Sequence, residues 1–449
     1  MHKPTTLIEV SIWGQRVGAI ARDNKLNCYV FEYAKEFIVR GIELSPLQMP
    51  LSRAGSPFVF PDLPKMTYKG LPALIADALP DDFGNALIDA YLARKGIAKA
   101  DITALDRLAY MGKRGMGALE FKPVIGPNKP RSIAALKMNA LVESARKAVH
   151  GNLDSEVSTS AALVNILQVG TSAGGARAKA VIAWNEATGE IRPGQFNVED
   201  GFVHWLLKFD GIGADSELGA GSHYGRIEFA YYLMALKAGI AMSDCRLLEE
   251  NGRAHFMTRR FDRDGNIKHH MQTLCAMSHL DYKQKGSHDY SQYFLAIAAL
   301  NLPASARGQA FRRMVFNVLS ANCDDHTKNL SFLLKKEGQW ELAPAYDVTH
   351  AYNPRGEWTH QHLMSVEGKF SIIGKADLMA VAERFQIPKA AAILTEVTEA
   401  VEAWPEFAAT ASVPAEIVEQ IRRDHNERRV FVGPVARRSA ASGAAASGV

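Results

Sequence analysis

The stretch NVLSANCDDHTKNLSFLL, residues 317–334, sets two adjacent carboxylates, a histidine, a lysine and an asparagine between two apolar runs. Polar groups this dense inside a core-forming pattern cost desolvation energy, so they need partners or a chemical task. Phosphoryl transfer of the protein-kinase type uses a carboxylate to accept the hydroxyl proton. It also uses a metal-binding asparagine five residues further along the same loop. Asp324 has Asn329 at that offset and Asp325 does not, which makes Asp324 the expected base. His326 is a second candidate, either as a base or as the group that orients the loop. A second metal-binding aspartate is expected beyond the following hairpin, and APAYDV supplies Asp347. Asn329 and Asp347 are the expected metal ligands. Two protein oxygens completed by nucleotide phosphates suit magnesium.

Upstream, GTSAGGARAK (170–179) is a small-residue loop before a strand. It is neither a Walker A sequence nor GxGxxG. It reads as a turn, or as a loop whose backbone N–H groups approach phosphate oxygens. Lys208, at the end of the strand HWLLKF (204–209), is a candidate to reach those phosphates. Glu228 on the next helix either pairs with it or is an ordinary surface glutamate. His360 and His362 form an HxH pair without an acidic or cysteine partner at ligand spacing, which argues against a metal there. His269-His270 falls in a polar turn and is expected to face solvent.

Further outward, LIEVSIWGQRVGAIA reads as two strands turning at Gly14, and Asn251-Gly252 joins two more. LPALIADALPDDFGNALIDAYLARKG reads as helix interrupted at Pro80. LDRLAYMGKRGMGALEFKP reads as helix, glycine-rich turn and strand. RIEFAYYLMALKAGI reads as a helix with Ile227, Tyr231 and Leu233 or Met234 on its apolar side. From about residue 270 the pattern is mostly helical, apart from the hairpin at 330–344. A β-rich lobe thus precedes a helical lobe, with the polar cluster just inside the second, as suits a nucleotide held between them.

The chain has 449 residues, 47% hydrophobic and 22% charged, and a net charge of +4, values ordinary for a globular protein of two or three domains. The mild basicity does not imply nucleic acid. IRRDHNERR (421–429) mixes acids with its arginines and reads as a solvated helix face. Cys28, Cys245, Cys275 and Cys323 are scattered, which argues against zinc and for a reducing, cytoplasmic setting. No apolar run reaches membrane-spanning length, so no membrane partner is expected.

With these residues in place, the chain resembles the HipA toxins, the serine/threonine kinase components of bacterial HipBA toxin–antitoxin modules. SAGGARAK, HWLLKF, RRFDR, NCDDHTKN and APAYDV stand in that family's order and spacing. ADALPDDFGNALI and LDRLAYMGKRGMGALEF resemble its N-terminal region. The resemblance implies an α+β, protein-kinase-like two-lobe fold with an added N-terminal β-rich subdomain at 1–100. A first lobe would follow at 101–265, a helical lobe at 266–436 and a disordered tail at 437–449. It implies ATP and Mg2+ as cofactors, with Asp324 as base and Asn329 and Asp347 on the metal. Ser172, Gly174, Gly175, Ala176, Arg177, Lys179, Lys208 and Phe261 would bind ATP, Phe261 through its backbone beside the adenine. Ser172 matches the serine that family members autophosphorylate. The implied partners are a HipB-like helix-turn-helix antitoxin, operator DNA reached through it, and a protein substrate such as an aminoacyl-tRNA synthetase. The rival expectation is a non-catalytic co-repressor that rides on the antitoxin. Three positions depart from the family pattern: GARAK in the phosphate loop, Asp325 where an arginine often stands, and Arg259 where an acid can occur.

Overall fold

The computed structural model describes residues 3–80, 82–126, 140–143, 145, 178–211 and 223–433. The expected helix near 161–169, the loop residues Ser172, Gly174, Gly175, Ala176 and Arg177, and the tail at 437–449 lie outside them.

Alternating burial in the first strands builds an antiparallel sheet. β1 (Leu7–Ile12), β2 (Gln15–Asp23), β3 (Cys28–Tyr33), β4 (Phe58–Val59) and β5 (Leu119–Lys122) are ordered β4-β3-β2-β1-β5. The β1–β2 turn places Trp13 and Gly14 at φ 51° and 78°, the left-handed pair that a two-residue hairpin requires. Helices α1 (Asp82–Ala93) and α2 (Ala104–Met111) follow the helical turn Ala73–Ala76. Thr103 caps α2 reciprocally with Asp106, each side chain accepting from the other's backbone N–H, at 3.1 and 2.9 Å. The boundary expected near residue 100 falls inside this unit, because β5 pairs with β1 and completes its sheet.

The second sheet is also antiparallel. β6 (Lys179–Asn185), β7 (Glu190–Pro193), β8 (Val203–Lys208), β9 (Cys245–Glu250) and β10 (Arg253–Arg259) are ordered β7-β6-β8-β10-β9. Helix α3 (Tyr224–Lys237) packs on it, and its buried positions include Ile227, Tyr231 and Met234. One apolar core runs through both sheets, joining Phe31, Phe121, Ile182, Leu207 and Met257.

The chain then crosses through residues 260–268, with the short pair β11 (Arg263–Asp264) and β12 (Ile267–Lys268), into a helical lobe with its own core. That lobe contains α4 (Leu274–Ser278), α5 (Tyr290–Ala299), α6 (Ala304–Leu319), α7 (Lys375–Arg384), α8 (Ala390–Glu402), α9 (Trp404–Thr410) and α10 (Ala415–Val432). A small sheet of β13 (His270–Thr273), β15 (Ser331–Leu334) and β16 (Trp340–Leu342) faces the crossing. β14 (His288–Asp289) pairs with β17 (Met364–Ser365) deeper in the lobe. The expectation that His269-His270 faces solvent is corrected. His270 opens β13, is 1% exposed, and its Nε2 lies 3.1 Å from the Leu44 carbonyl oxygen. Burial lowers its pKa to about 4 and keeps the ring neutral.

The N-terminal body is bonded to the crossing and to the helical lobe. Gly117 N donates to Asp262 Oδ2 at 2.7 Å, and Arg263 reaches the Gly117 and Gly115 carbonyls at 3.0 and 3.2 Å. Trp13 Nε1 donates to the Lys268 carbonyl at 2.7 Å. In the helical lobe, Thr273 N donates to Asp77 at 2.7 Å, Tyr68 OH to the Cys275 carbonyl at 3.0 Å, and Trp340 Nε1 to the Glu43 carbonyl at 2.9 Å. The four cysteines are buried and unbridged. No helix among the described residues is long and apolar enough to cross a membrane.

Candidate functional site

Period-two alternation decides where Lys208 goes. Leu207 points into the core of the second sheet, so the next side chain, the last of β8, turns to the opposite face. There the Lys208 ammonium lies 2.5 Å from Glu228 Oε1 on α3 and is bonded to Asp347 Oδ1 from the helical lobe. Glu228 is 3% exposed, so it is a buried partner rather than a surface residue. Burial works against the Lys208 charge, but Asp347 and then Glu228 outweigh it and hold the amine above its ordinary range. Lys179 sits opposite Lys208 in the β6–β8 register and is 2% exposed. Burial alone would raise the Asp347 carboxyl; Lys208, then Lys179, reverse that and hold it below its ordinary value.

Asp347 has φ 51°, a left-handed conformation that aspartate tolerates better than most residues. The preceding Tyr346 is fixed by donating to the Lys328 carbonyl at 2.6 Å, and its hydroxyl also bonds the Ser331 hydroxyl. The Phe261 ring, in the crossing between the lobes, lies 5.8 Å from the Tyr346 ring. RRFDR is therefore divided in its roles. Arg260, Asp262 and Arg263 bind one another and the glycine turn at 115–117, while Phe261 borders the cleft.

The polar loop leaves α6 through Ser320, whose carbonyl accepts from Tyr231 OH at 2.5 Å. Its two carboxylates then part. Asp324 has a side chain 48% exposed, whereas Asp325 is fully enclosed. Asn329 Nδ2 donates to the Asp324 backbone oxygen at 2.8 Å, which leaves the amide oxygen as the donor a cation would take. His326 Nε2 lies 3.8 Å from Asp324 Oδ1, and its ring sits 5.2 Å from that of Tyr282. Asp325 accepts from His362 Nδ1 and Leu363 N, both at 2.8 Å, and from Tyr290 OH at 2.9 Å. Asn317 Nδ2 donates to Tyr290 OH, and Asn322 Nδ2 to Asn317 Oδ1, each at 2.9 Å. The loop also bridges the segment after Asp347: Cys323 N donates to the Ala351 carbonyl at 2.9 Å.

The structure thus gathers Lys208, Lys179 and His326 about Asp347, sets Asp324 beside His326 and Asn329 on the Asp324 carbonyl, and places Phe261 against Tyr346, with Ser172 and Gly174 to Arg177 outside the described residues. Sequence reasoning passed over Tyr290, weighed Asp325 only as the lesser base, and weighed His362 only as half of an HxH metal pair. Asp325 and His362 stand 37 positions apart, and no local pattern links them. The adjacency of two acids was the one available hint that only one of them faces solvent. Among the described residues no group of three His, Cys, Asp or Glu side chains is placed to hold a metal. Asn329 and Asp347 instead offer two hard oxygens, the sparse donor set of a magnesium that shares phosphate ligands.

Residues 171–404 match the HipA-like C-terminal domain, and residues 8–122 match the HipA N-terminal domain. No curated protein matches the chain. Among solved structures, the chain is similar to the Shewanella oneidensis MR-1 toxin–antitoxin complex of HipA, HipB and operator DNA. The TM-score is 0.66 at 18% identity, covering 95% of this chain and 97% of that one. A second likeness, to the Helicobacter pylori proinflammatory kinase CtkA, covers 50% of this chain and 91% of that one at 11% identity and a TM-score of 0.31. The larger match carries the fold from the first sheet to the last helices, and the two domain matches cover most of the N-terminal body, the second sheet and the helical lobe as far as Trp404. Taken together, they make this chain a member of the HipA family.

Proposed function

We propose that the protein is an ATP- and Mg2+-dependent serine/threonine protein kinase acting as the toxin of a type II toxin–antitoxin module. The observation that carries this reading is the Lys208 ammonium bonded to both Glu228 and Asp347, joining a strand, a helix and the helical lobe at one point. This is the lysine–glutamate–aspartate constellation that phosphoryl transfer between two lobes needs. Lys208 and Lys179 supply positive charge for nucleotide phosphates, and Phe261 borders the adenine side. Asn329 and Asp347 would hold magnesium, which neutralises charge on the phosphate oxygens when bound. Asp324, exposed at the cleft, orients the acceptor hydroxyl and takes its proton, and His326 beside it sets the loop's orientation. Ser172 is the proposed autophosphorylation site.

A HipB-like helix-turn-helix antitoxin is the proposed partner, with operator DNA reached through it. The support is the Shewanella HipA, which was solved with HipB and its operator. An aminoacyl-tRNA synthetase is the proposed class of protein substrate, resting on family resemblance alone. The test is incubation of the purified protein with cell lysate, labelled ATP and Mg2+, followed by mass spectrometry of the labelled proteins. Label on serine or threonine that disappears in Asp324→Asn supports the kinase. Absence of label in the wild type, with the antitoxin complex still on DNA, supports the co-repressor instead.

A further inference from the structure

A charged pair lies directly beneath the proposed catalytic loop, and nothing in phosphoryl transfer itself calls for it. Asp325, next to Asp324, is 0% exposed at its side chain, and the His362 side chain is 5% exposed. The two are joined at 2.8 Å, and the next residue's backbone N–H, that of Leu363, binds the other Asp325 oxygen at 2.8 Å. Tyr290 OH on α5 adds a third donor at 2.9 Å, and Asn317 on α6 supports Tyr290 in turn. Three separate elements therefore converge on a single carboxylate: α5, α6 through Asn317, and the segment after Asp347. The His362 backbone is fixed as well, its N–H donating to the Phe370 carbonyl at 2.9 Å.

The Asp324 side chain is half exposed and that of Asp325 is enclosed, so the two leave the loop on different sides. Anchoring Asp325 downward thus fixes the direction in which Asp324 points upward. A buried carboxylate with three donors has one low-energy placement, and the loop inherits it. Burial would drive the His362 ring neutral, but Cys323 and Asp325 outweigh it and raise its pKa to about 10, so it remains a charged donor at neutral pH.

We propose that His362 is a positioning residue: through Asp325 it locks the catalytic loop to the segment following Asp347, so that Asp324 faces the acceptor and Asn329 faces Asp347. This rests on the kinase reading of Asp324. It means that the loop is held in its working position by a buried hydrogen-bonded pair built into the fold.

The test compares wild type, His362→Leu and His362→Asn, the last keeping an N–H where Nδ1 stands. Misplacing a reacting group by about an ångström costs on the order of a hundredfold in rate. His362→Leu is therefore expected to lose about that much in kcat. Affinity for a non-hydrolysable ATP analogue, measured calorimetrically without Mg2+, should stay within about twofold, because Lys208 and Lys179 lie on the other lobe. His362→Asn should recover most of the rate. Hydrogen exchange should show lost protection at residues 323–330 in His362→Leu, with β8 and β10 unchanged. An unchanged kcat, unchanged protection of the loop, or equal loss of kcat and nucleotide affinity would overturn the proposal. If His362→Leu does not fold, failure of the folded His362→Asn protein to exceed one-hundredth of wild-type kcat does the same. A wild type without phosphotransfer would overturn the kinase reading instead, and the exchange measurement would still decide whether His362 holds the loop.

Discussion

Replacing Lys208 with methionine separates two things that its ammonium does. In the fold it answers Glu228, 3% exposed, and Asp347, 28% exposed. Removing one partner of a buried ion pair costs about 3–5 kcal/mol, because the remaining charge keeps its desolvation penalty. Most of that falls on Glu228, since Asp347 lies at the cleft and regains water. At about 2.1 cal/mol/K of unfolding entropy per residue, each kcal/mol moves the melting temperature of a 449-residue chain by about 1 °C, so Lys208→Met should melt roughly 3–5 °C lower. Lys208→Met/Glu228→Leu removes both charges and fills the space with apolar atoms, a replacement that is often neutral. The double variant should therefore regain most of the lost stability. It should not regain ATP: a charge-assisted bond to phosphate contributes about 1.5–3 kcal/mol, roughly tenfold to a hundredfold in Kd. Thermal melts of the single and double variants, beside calorimetric titration with an ATP analogue and Mg2+, read the two effects separately. A single variant that melts like wild type would refute the burial argument. A double variant with wild-type nucleotide affinity would refute the role of the ammonium.

Asp324→Asn should lower phosphotransfer by about two orders of magnitude or more with little change in melting temperature, since its side chain is half exposed. Asp325→Asn should lower the melting temperature as well as the rate, because it leaves the His362 imidazolium without its counter-charge; rates and melts of the two, side by side, check both. Asp347→Ala should abolish transfer and the Mg2+-dependence of nucleotide binding, which titration with and without the metal would reveal. His362 has its pKa raised from 6.5 to about 10 in the fold, so its contribution to stability is complete below pH 6.5 and is lost as pH rises through about 10. The melting difference between wild type and His362→Leu should accordingly shrink over that range. Incubation with ATP and Mg2+ should place phosphate on Ser172; phosphate on neither Ser172 nor the adjacent Thr171 in an active kinase would rule out the switch.

Local signals carried far in this sequence. Gly14 and Asn251-Gly252 announced their hairpins because a two-residue turn needs left-handed backbone. Pro80 broke its helix because proline cannot donate to the turn before it. That Asp324 and Asn329 share one loop, and that Lys208 ends a strand, could be read from the sequence. What stayed hidden was whatever depends on distant segments meeting. His269-His270 read as polar punctuation, yet β15 pairs with that segment and the N-terminal body covers it. Asp325 looked like a lesser copy of its neighbour until α5 and the segment at 362–363 closed around it. The first sheet ran past residue 100 because β5 returns to β1 across an intervening pair of helices, a non-local pairing that no window of sequence reports.

The bonds from the N-terminal body to residues 262, 263, 268, 273, 275 and 340 have a mechanical consequence. A cleft between two lobes ordinarily opens by bending at the strip of chain that joins them. Here that strip is splinted from behind, and the same splint is fastened to the helical lobe beyond it. Bending at the back would break several hydrogen bonds together, each with a net value of about 0.5–1.5 kcal/mol, so the joint is stiff. Any opening between the lobes is left to the edge where Lys208 meets Asp347. Residues 8–122 thereby set the compliance of a cleft they do not line, and whatever grips them grips the joint.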